Sequence, residues 1–128
     1  MTKVMTFGTF DGLHEGHLSY FKQARNYGDY LIAVVALDEN VLKQKKQLPK
    51  YSESERVNVI KKSALVDKVV LGNQKIYEIL ETHEPDIACL GYDQKTDIKY
   101  LKTNFPKIKI VRLKSYKPNI YKSSLLNS

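Results

Sequence analysis

Cysteine is nearly absent: the 128 residues contain one, Cys89. A single thiol excludes an internal disulfide and disfavours a cysteine-built zinc site. Its place inside the apolar run "DIACLG" predicts an ordinary core residue. Apolar runs of membrane-spanning length are also missing. The N-terminal "MTKVMTFGTFDG" has neither the hydrophobic segment nor the small-residue cleavage site of a signal peptide. The expectation is a cytoplasmic protein with no membrane partner. Repeats, low-complexity tracts and long linkers are lacking as well. With 42% hydrophobic residues, the chain should then form one compact domain over 1–128 with a sizeable core.

Acidic residues are in the minority, 14 against 21 Lys and Arg, for a formal charge of +7. Such a chain attracts polyanions, which include nucleic acids and phosphorylated small molecules. The lysines form local clusters at "KQKKQLPK" and "SYKPNIYKSS" rather than a continuous basic arm, a distribution that favours phosphate pockets.

Five short apolar runs, "VMTF", "YLIAVVAL", "DKVVLG", "DIACLG" and "KIKIVRL", have strand length and many β-branched residues. Amphipathic stretches separate them, with helices expected over 16–27, from Glu39, and over 53–65, 74–84 and 96–104. In "KIYEILETHEPD", Ile76, Ile79 and Leu80 share one helical face and Pro85 stops the helix. Runs apolar throughout, such as "LIAVVAL", suit strands covered on both faces. The fold class expected is therefore α/β: a Rossmann-like doubly wound sheet of about five parallel strands flanked by helices.

Such sheets bind ligands beyond the C-terminal ends of their strands. The loop after the first strand reads "GTFDGLHEGH" and runs into a helical pattern. A helix N-terminus offers unpaired N–H groups and the positive end of a dipole, so it receives phosphate readily. His14 and His17, three apart, turn toward one side of that first turn, while Gly8, Gly12 and Gly16 allow close approach. Two imidazoles there can donate hydrogen bonds to one phosphate chain.

The string "GTFDGLHEGH" resembles the signature of the nucleotidylyltransferase superfamily, whose H-x-G-H element here is His14, Glu15, Gly16 and His17. The similarity continues along nearly all of the chain. "YSESERVNVI" looks like the family's E-x-R segment, in which the basic residue, here Arg56, opens a helix near the nucleotide phosphates. "KQKKQLPK" is similar to the lysine-bearing loop of the cytidylyltransferase branch, with Lys43, Lys45 and Lys46 as alternative phosphate contacts. "LGYDQ", carrying Asp93, looks closer to the G-x-D-Q of archaeal FAD synthases than to glycerol-3-phosphate cytidylyltransferases. The R-T-x-G-I-S-T-T element of the latter is missing, and the C-terminal "YKPNIYKSSLL" is similar to the FAD synthase ending.

That resemblance implies direct in-line attack of a phosphorylated acceptor on the α-phosphorus of a nucleoside triphosphate, with pyrophosphate leaving. The expected pair is ATP and FMN, giving FAD; the alternative is a cytidylyltransferase acting on glycerol 3-phosphate or a related phosphate. A non-catalytic nucleotide-binding or nucleic-acid-binding module is a distant third, and no nucleic-acid partner is expected. His14 and His17 would be catalytic. Thr9, Phe10, Arg56, Asp93, Ser123 and Ser124 would join them at the nucleotide. Tyr116, Lys117, Tyr121 and Lys122 would face the acceptor. The sequence has no dense carboxylate cluster, so Mg²⁺ or another divalent cation should arrive with the nucleotide rather than in a protein cage. Relatives of this size imply a homodimer.

Overall fold

The computed structural model describes residues 1–13, 15–72, 75–90 and 98–113. Its elements follow the order β1 (Lys3–Gly8), α1 (Glu15–Arg25), β2 (Tyr30–Ala36), α2 (Asp38–Lys45), α3 (Glu53–Ser63), β3 (Lys68–Gly72), α4 (Ile76–His83), β4 (Ile87–Leu90), α5 (Ile98–Asn104) and β5 (Lys109–Arg112). The five strands form one sheet in the order β3-β2-β1-β4-β5, and every neighbouring pair is parallel. This is the Rossmann-like doubly wound sheet expected from the alternation of apolar runs and amphipathic stretches.

Both faces of the sheet are covered, which is why its central strands read as continuous apolar runs. Alternate residues serve opposite sides. Val4, Leu31, Ala33, Val35 and Cys89 join Phe21 and Ala24 of α1 and Ile60 of α3 in one buried cluster. Met5, Phe7, Ile32, Val34, Ala88 and Leu90 join Ile79 and Leu80 of α4 and Leu101 of α5 in the other. Cys89 is fully buried, as expected, and burial pushes its thiol up to about 12. It therefore stays protonated and inert at neutral pH.

The N-terminal edge of the sheet is tied by carboxylates. Asp29, ahead of β2, accepts the Thr2 N–H at 2.6 Å, and Asp86, ahead of β4, accepts the Lys3 N–H at 2.7 Å. Asp67, ahead of β3, accepts the Leu31 N–H at 2.8 Å and pairs with Arg25 at 2.6 Å. Each aspartate thus satisfies a donor that a strand end leaves over. The negative charge they bring lies at the opposite end of the strands from the histidine loop.

The Leu31 N–H, with Arg25 beside it, holds the Asp67 carboxyl below the usual aspartate range. A carboxylate lowered on folding adds stability above its unfolded pKa and loses it as the pH falls through its folded one. Asp67→Asn is therefore expected to destabilise the protein near neutral pH, and the gap from wild type should shrink as acid protonates Asp67. Denaturant titrations of both proteins at about pH 7 and about pH 3 check this; a gap that stays constant or widens in acid would contradict it.

Candidate active site

β1 is the turning point of the topology. From it the chain proceeds outward through β2 and β3 on one side, and later through β4 and β5 on the other. Connections leaving the two sides in opposite directions open a crevice at the C-terminal ends of β1 and β4. The ladder reflects this opening: β1 pairs with β2 as far as Gly8 and Val35, but with β4 only as far as Thr6 and Cys89. The hydroxyl of Tyr20, from α1, fills the split. It accepts the Phe7 N–H at 3.3 Å and lies 2.9 Å from the Cys89 carbonyl, to which it donates. α1 is thereby pinned across the mouth of the crevice.

The loop leaving β1 carries two left-handed residues, Phe10 (φ 54°) and Gly12 (φ 81°). The first turn sends the Phe10 ring back under the loop, where only 3% of the residue is exposed. It packs on Gly8 so closely that a Cβ there would stand 2.8 Å from the ring's Cζ. Its other neighbours are Phe21, with centroids 5.0 Å apart, and His17, at 5.5 Å in an edge-on arrangement. His17 lies in the first turn of α1, half-buried, with Nδ1 shut off from solvent. The side chain of Phe10 is thus part of the floor beneath His17, and only its main chain is left for a ligand. His14 lies outside the described residues.

Arg56 is one turn into α3 rather than at its opening, which belongs to Ser52. The Ser52 hydroxyl accepts the Glu55 N–H and the Glu55 carboxylate accepts the Ser52 N–H, each at 3.2 Å, in a capping box. The Arg56 guanidinium is fully enclosed. Nε donates to the Tyr51 carbonyl at 3.0 Å, one terminal nitrogen donates to the carbonyls of Thr9 and Ala36, both at 2.8 Å, and the other reaches Asp38 at 2.7 Å. Four of its five N–H groups are therefore engaged by the protein itself. Thr9 reaches the same node through its carbonyl.

The lysines expected in a loop stand on a helix. Lys43 and Lys45 occupy the last turn of α2, Lys46 caps it in the left-handed conformation (φ 64°), and all three are exposed. Asp93, Tyr116, Lys117, Tyr121, Lys122, Ser123 and Ser124 lie outside the described residues.

Sequence reading passed over several residues that build this end of the sheet: Asp11, Tyr20, Asp38 and Glu53. Asp11 accepts the N–H groups of Lys50 and Tyr51 at 2.7 and 2.8 Å, and Glu53 accepts the Asp38 N–H at 3.0 Å. The one available signal was the S-x-x-E pattern of Ser52 to Glu55, which marks a helix start and so places the segment that Asp11 grips.

Comparison with known proteins agrees with this geometry. The family model described as Cytidylyltransferase-like matches residues 5–126. Among curated proteins, the FAD synthase of Methanosarcina barkeri is 41% identical over 108 residues, 84% of this chain and 76% of that protein. The FAD synthase of Thermococcus sibiricus is 38% identical over 129 residues, 95% and 87% of the two chains. Among solved structures, a protein described as a lipopolysaccharide core biosynthesis protein from Thermoplasma volcanium superposes with a TM-score of 0.84 at 36% identity, covering 91% of this chain and 99% of its own. Pantothenate synthetase from Thermus thermophilus, at 14% identity and a TM-score of 0.59 over 98% of this chain and 64% of its own, shares the fold. With the loop after β1 running toward α1 at the switch point of a five-stranded parallel sheet, the chain belongs to the cytidylyltransferase-like family of nucleotidyltransferases, among whose curated members it is similar to FAD synthases.

Proposed function

We propose that this protein is an FAD synthase that transfers AMP from ATP to FMN. The observation that carries the reading is the 38–41% identity to FAD synthases across most of both chains, on a fold that leaves the β1 loop and the start of α1 at the crevice. A phosphate oxygen of FMN attacks the α-phosphorus of ATP. The new P–O bond forms as the bond to the bridging α,β oxygen breaks, and pyrophosphate departs with that electron pair. The FMN phosphate is already ionised near neutral pH, so the reaction needs no strong general base. The protein's part is to hold two anionic substrates in line and to stabilise charge on the phosphoryl oxygens.

His14 and His17 donate to those oxygens in this reading. Nδ1 of His17 is buried, so this reading assigns the phosphate contact to Nε2. The N–H groups opening α1 and an exposed lysine among Lys43, Lys45 and Lys46 add positive field. The main chain of Thr9 and Phe10 borders the nucleotide. Asp93, Ser123 and Ser124 complete the nucleotide side, and Tyr116, Lys117, Tyr121 and Lys122 supply the charge and apolar surface that FMN requires. Among the described residues no cluster of three or more His, Cys, Asp or Glu side chains is arranged to hold a metal ion. In this reading the divalent cation enters as part of the substrate, MgATP. No described helix is long and apolar enough to cross a membrane, and the reading takes the enzyme as a cytoplasmic homodimer.

The test is product formation. Purified protein with MgATP and FMN should yield FAD and pyrophosphate in equal amounts, and flavin carried through purification should colour it yellow. If FMN is inert while CTP and glycerol 3-phosphate give a CDP-alcohol, the family's other chemistry replaces this reading.

A further inference from the structure

The contacts around the histidine loop lead to the segment before α3. Four groups at the start of that helix reach back to the loop. Arg56 donates to the Thr9 carbonyl at 2.8 Å. The main-chain N–H groups of Lys50 and Tyr51 both donate to the Asp11 carboxylate at 2.7 and 2.8 Å. The Tyr51 ring lies over Gly12, whose missing Cβ would stand 3.4 Å from it. Arg56 also binds the Tyr51 carbonyl, so the two attachments close into one ring of contacts: Thr9, Arg56, Tyr51, Asp11 and back along the loop.

We infer that Asp11 and Arg56 are positioning residues that clamp the 9–12 loop from its two ends, and through it set where the histidines at the start of α1 stand. The inference rests on the reading of those histidines as the groups that act on the phosphates. A cation meant for phosphate keeps N–H groups free toward the ligand. Arg56 instead exposes nothing and directs its fork at three carbonyls and a carboxylate. The planar fork matters here because one guanidinium holds the ends of β1 and β2 together, at Thr9 and Ala36, while its charge is met by Asp38. Asp11 does the complementary work with a carboxylate, accepting two backbone donors at once. Neither side chain needs to touch substrate for its loss to displace the loop.

Two conservative variants separate this clamp from a phosphate contact. Arg56→Lys keeps the charge but cannot make the fork. Asp11→Asn keeps the size but places an amide N–H₂ against a backbone donor. Both are expected to lower kcat about tenfold or more, the scale of a small misplacement of reacting groups, while KM for ATP moves less than about threefold. Backbone hydrogen exchange at Lys50 and Tyr51, whose N–H groups donate to Asp11, read without substrate, should accelerate in both. The double variant should lose less than the product of the two single losses, because either change opens the same ring. Wild-type kcat in Asp11→Asn with unchanged exchange at Lys50 and Tyr51 overturns the clamp. So does an Arg56→Lys variant whose defect lies in KM for ATP alone. Should Arg56→Lys not fold, Asp11→Asn, at the edge of the loop, decides the question by itself. If the wild-type protein makes no FAD from ATP and FMN, the function reading fails, and the exchange measurement still decides the clamp.

Discussion

Replacing His17 by alanine is expected to lower kcat by about two orders of magnitude or more, the usual effect of removing a donor that strengthens its hydrogen bond in the transition state. His14→Ala should have a similar effect. Structure gives little reason to expect unfolding from the first of these changes: His17 is half-buried in the first turn of α1, and the core face of that helix is carried by Phe21 and Ala24. The in-line reaction asks the protein for positioned positive groups rather than for a nucleophile, so the loss should fall on kcat more than on KM for FMN. His17→Asn is a useful companion, because its amide NH₂ keeps N–H donors at shorter reach and should recover part of the lost rate. Steady-state kinetics with MgATP and FMN, alongside circular dichroism of each variant, measures both expectations. Turnover near the wild-type rate in folded His17→Ala would remove the imidazole from the mechanism.

The fold was legible in the sequence because its central strands are buried on both faces. "LIAVVAL" and "DIACLG" carry no alternation, and no arrangement other than a parallel sheet between helix layers buries such runs so simply. Helix ends were less legible for a specific reason. α2, α3 and α4 each finish on a left-handed residue that is not glycine: Lys46, Ala64 and Glu84. With the customary glycine missing, the expected ends overshot to Leu65 and Glu84 where the helices finish at Ser63 and His83. The lysines of "KQKK" read as a loop because the string resembles the lysine-bearing loop of the cytidylyltransferase branch, although Lys43 and Lys45 ride on α2.

The site divided along a similar line. A linear string could reveal the loop and the helix that follows it, since H-x-G-H is local. It could not reveal where Arg56 points. A long side chain one turn into a helix can turn toward solvent, ligand or a neighbouring strand end with equal ease, and only the fold brings it onto Thr9, Ala36, Tyr51 and Asp38. Asp11 was equally opaque: its partners, Lys50 and Tyr51, are some forty residues away in sequence and offer main-chain groups that no composition can advertise.

Phe10→Ala is the second substitution with a large expected effect, and it tests how the histidine is supported rather than what it does. The ring is 3% exposed and fills the space between Gly8, Phe21 and His17. Deleting a buried phenyl group costs about 3–5 kcal/mol, the upper part of the range being reached where neighbours cannot collapse into the gap. Collapse is restricted here because Gly8 belongs to a paired strand and Phe21 is held by α1 in the buried cluster. The edge-on contact with His17, at 5.5 Å, is lost as well. That imidazole then gains freedom to tilt, so kcat should fall by about tenfold or more on top of the stability loss. Phe10→Leu separates the two effects: it restores most of the apolar volume, and with it most of the stability, yet offers no flat ring edge to the imidazole. The expected order is therefore wild type, then Phe10→Leu, then Phe10→Ala in denaturant midpoint, with both variants impaired in kcat at a temperature where both are folded. A Phe10→Leu enzyme with the full wild-type kcat would show that volume alone holds His17 in place, and a Phe10→Ala enzyme as stable as wild type would show that the loop closes over the gap.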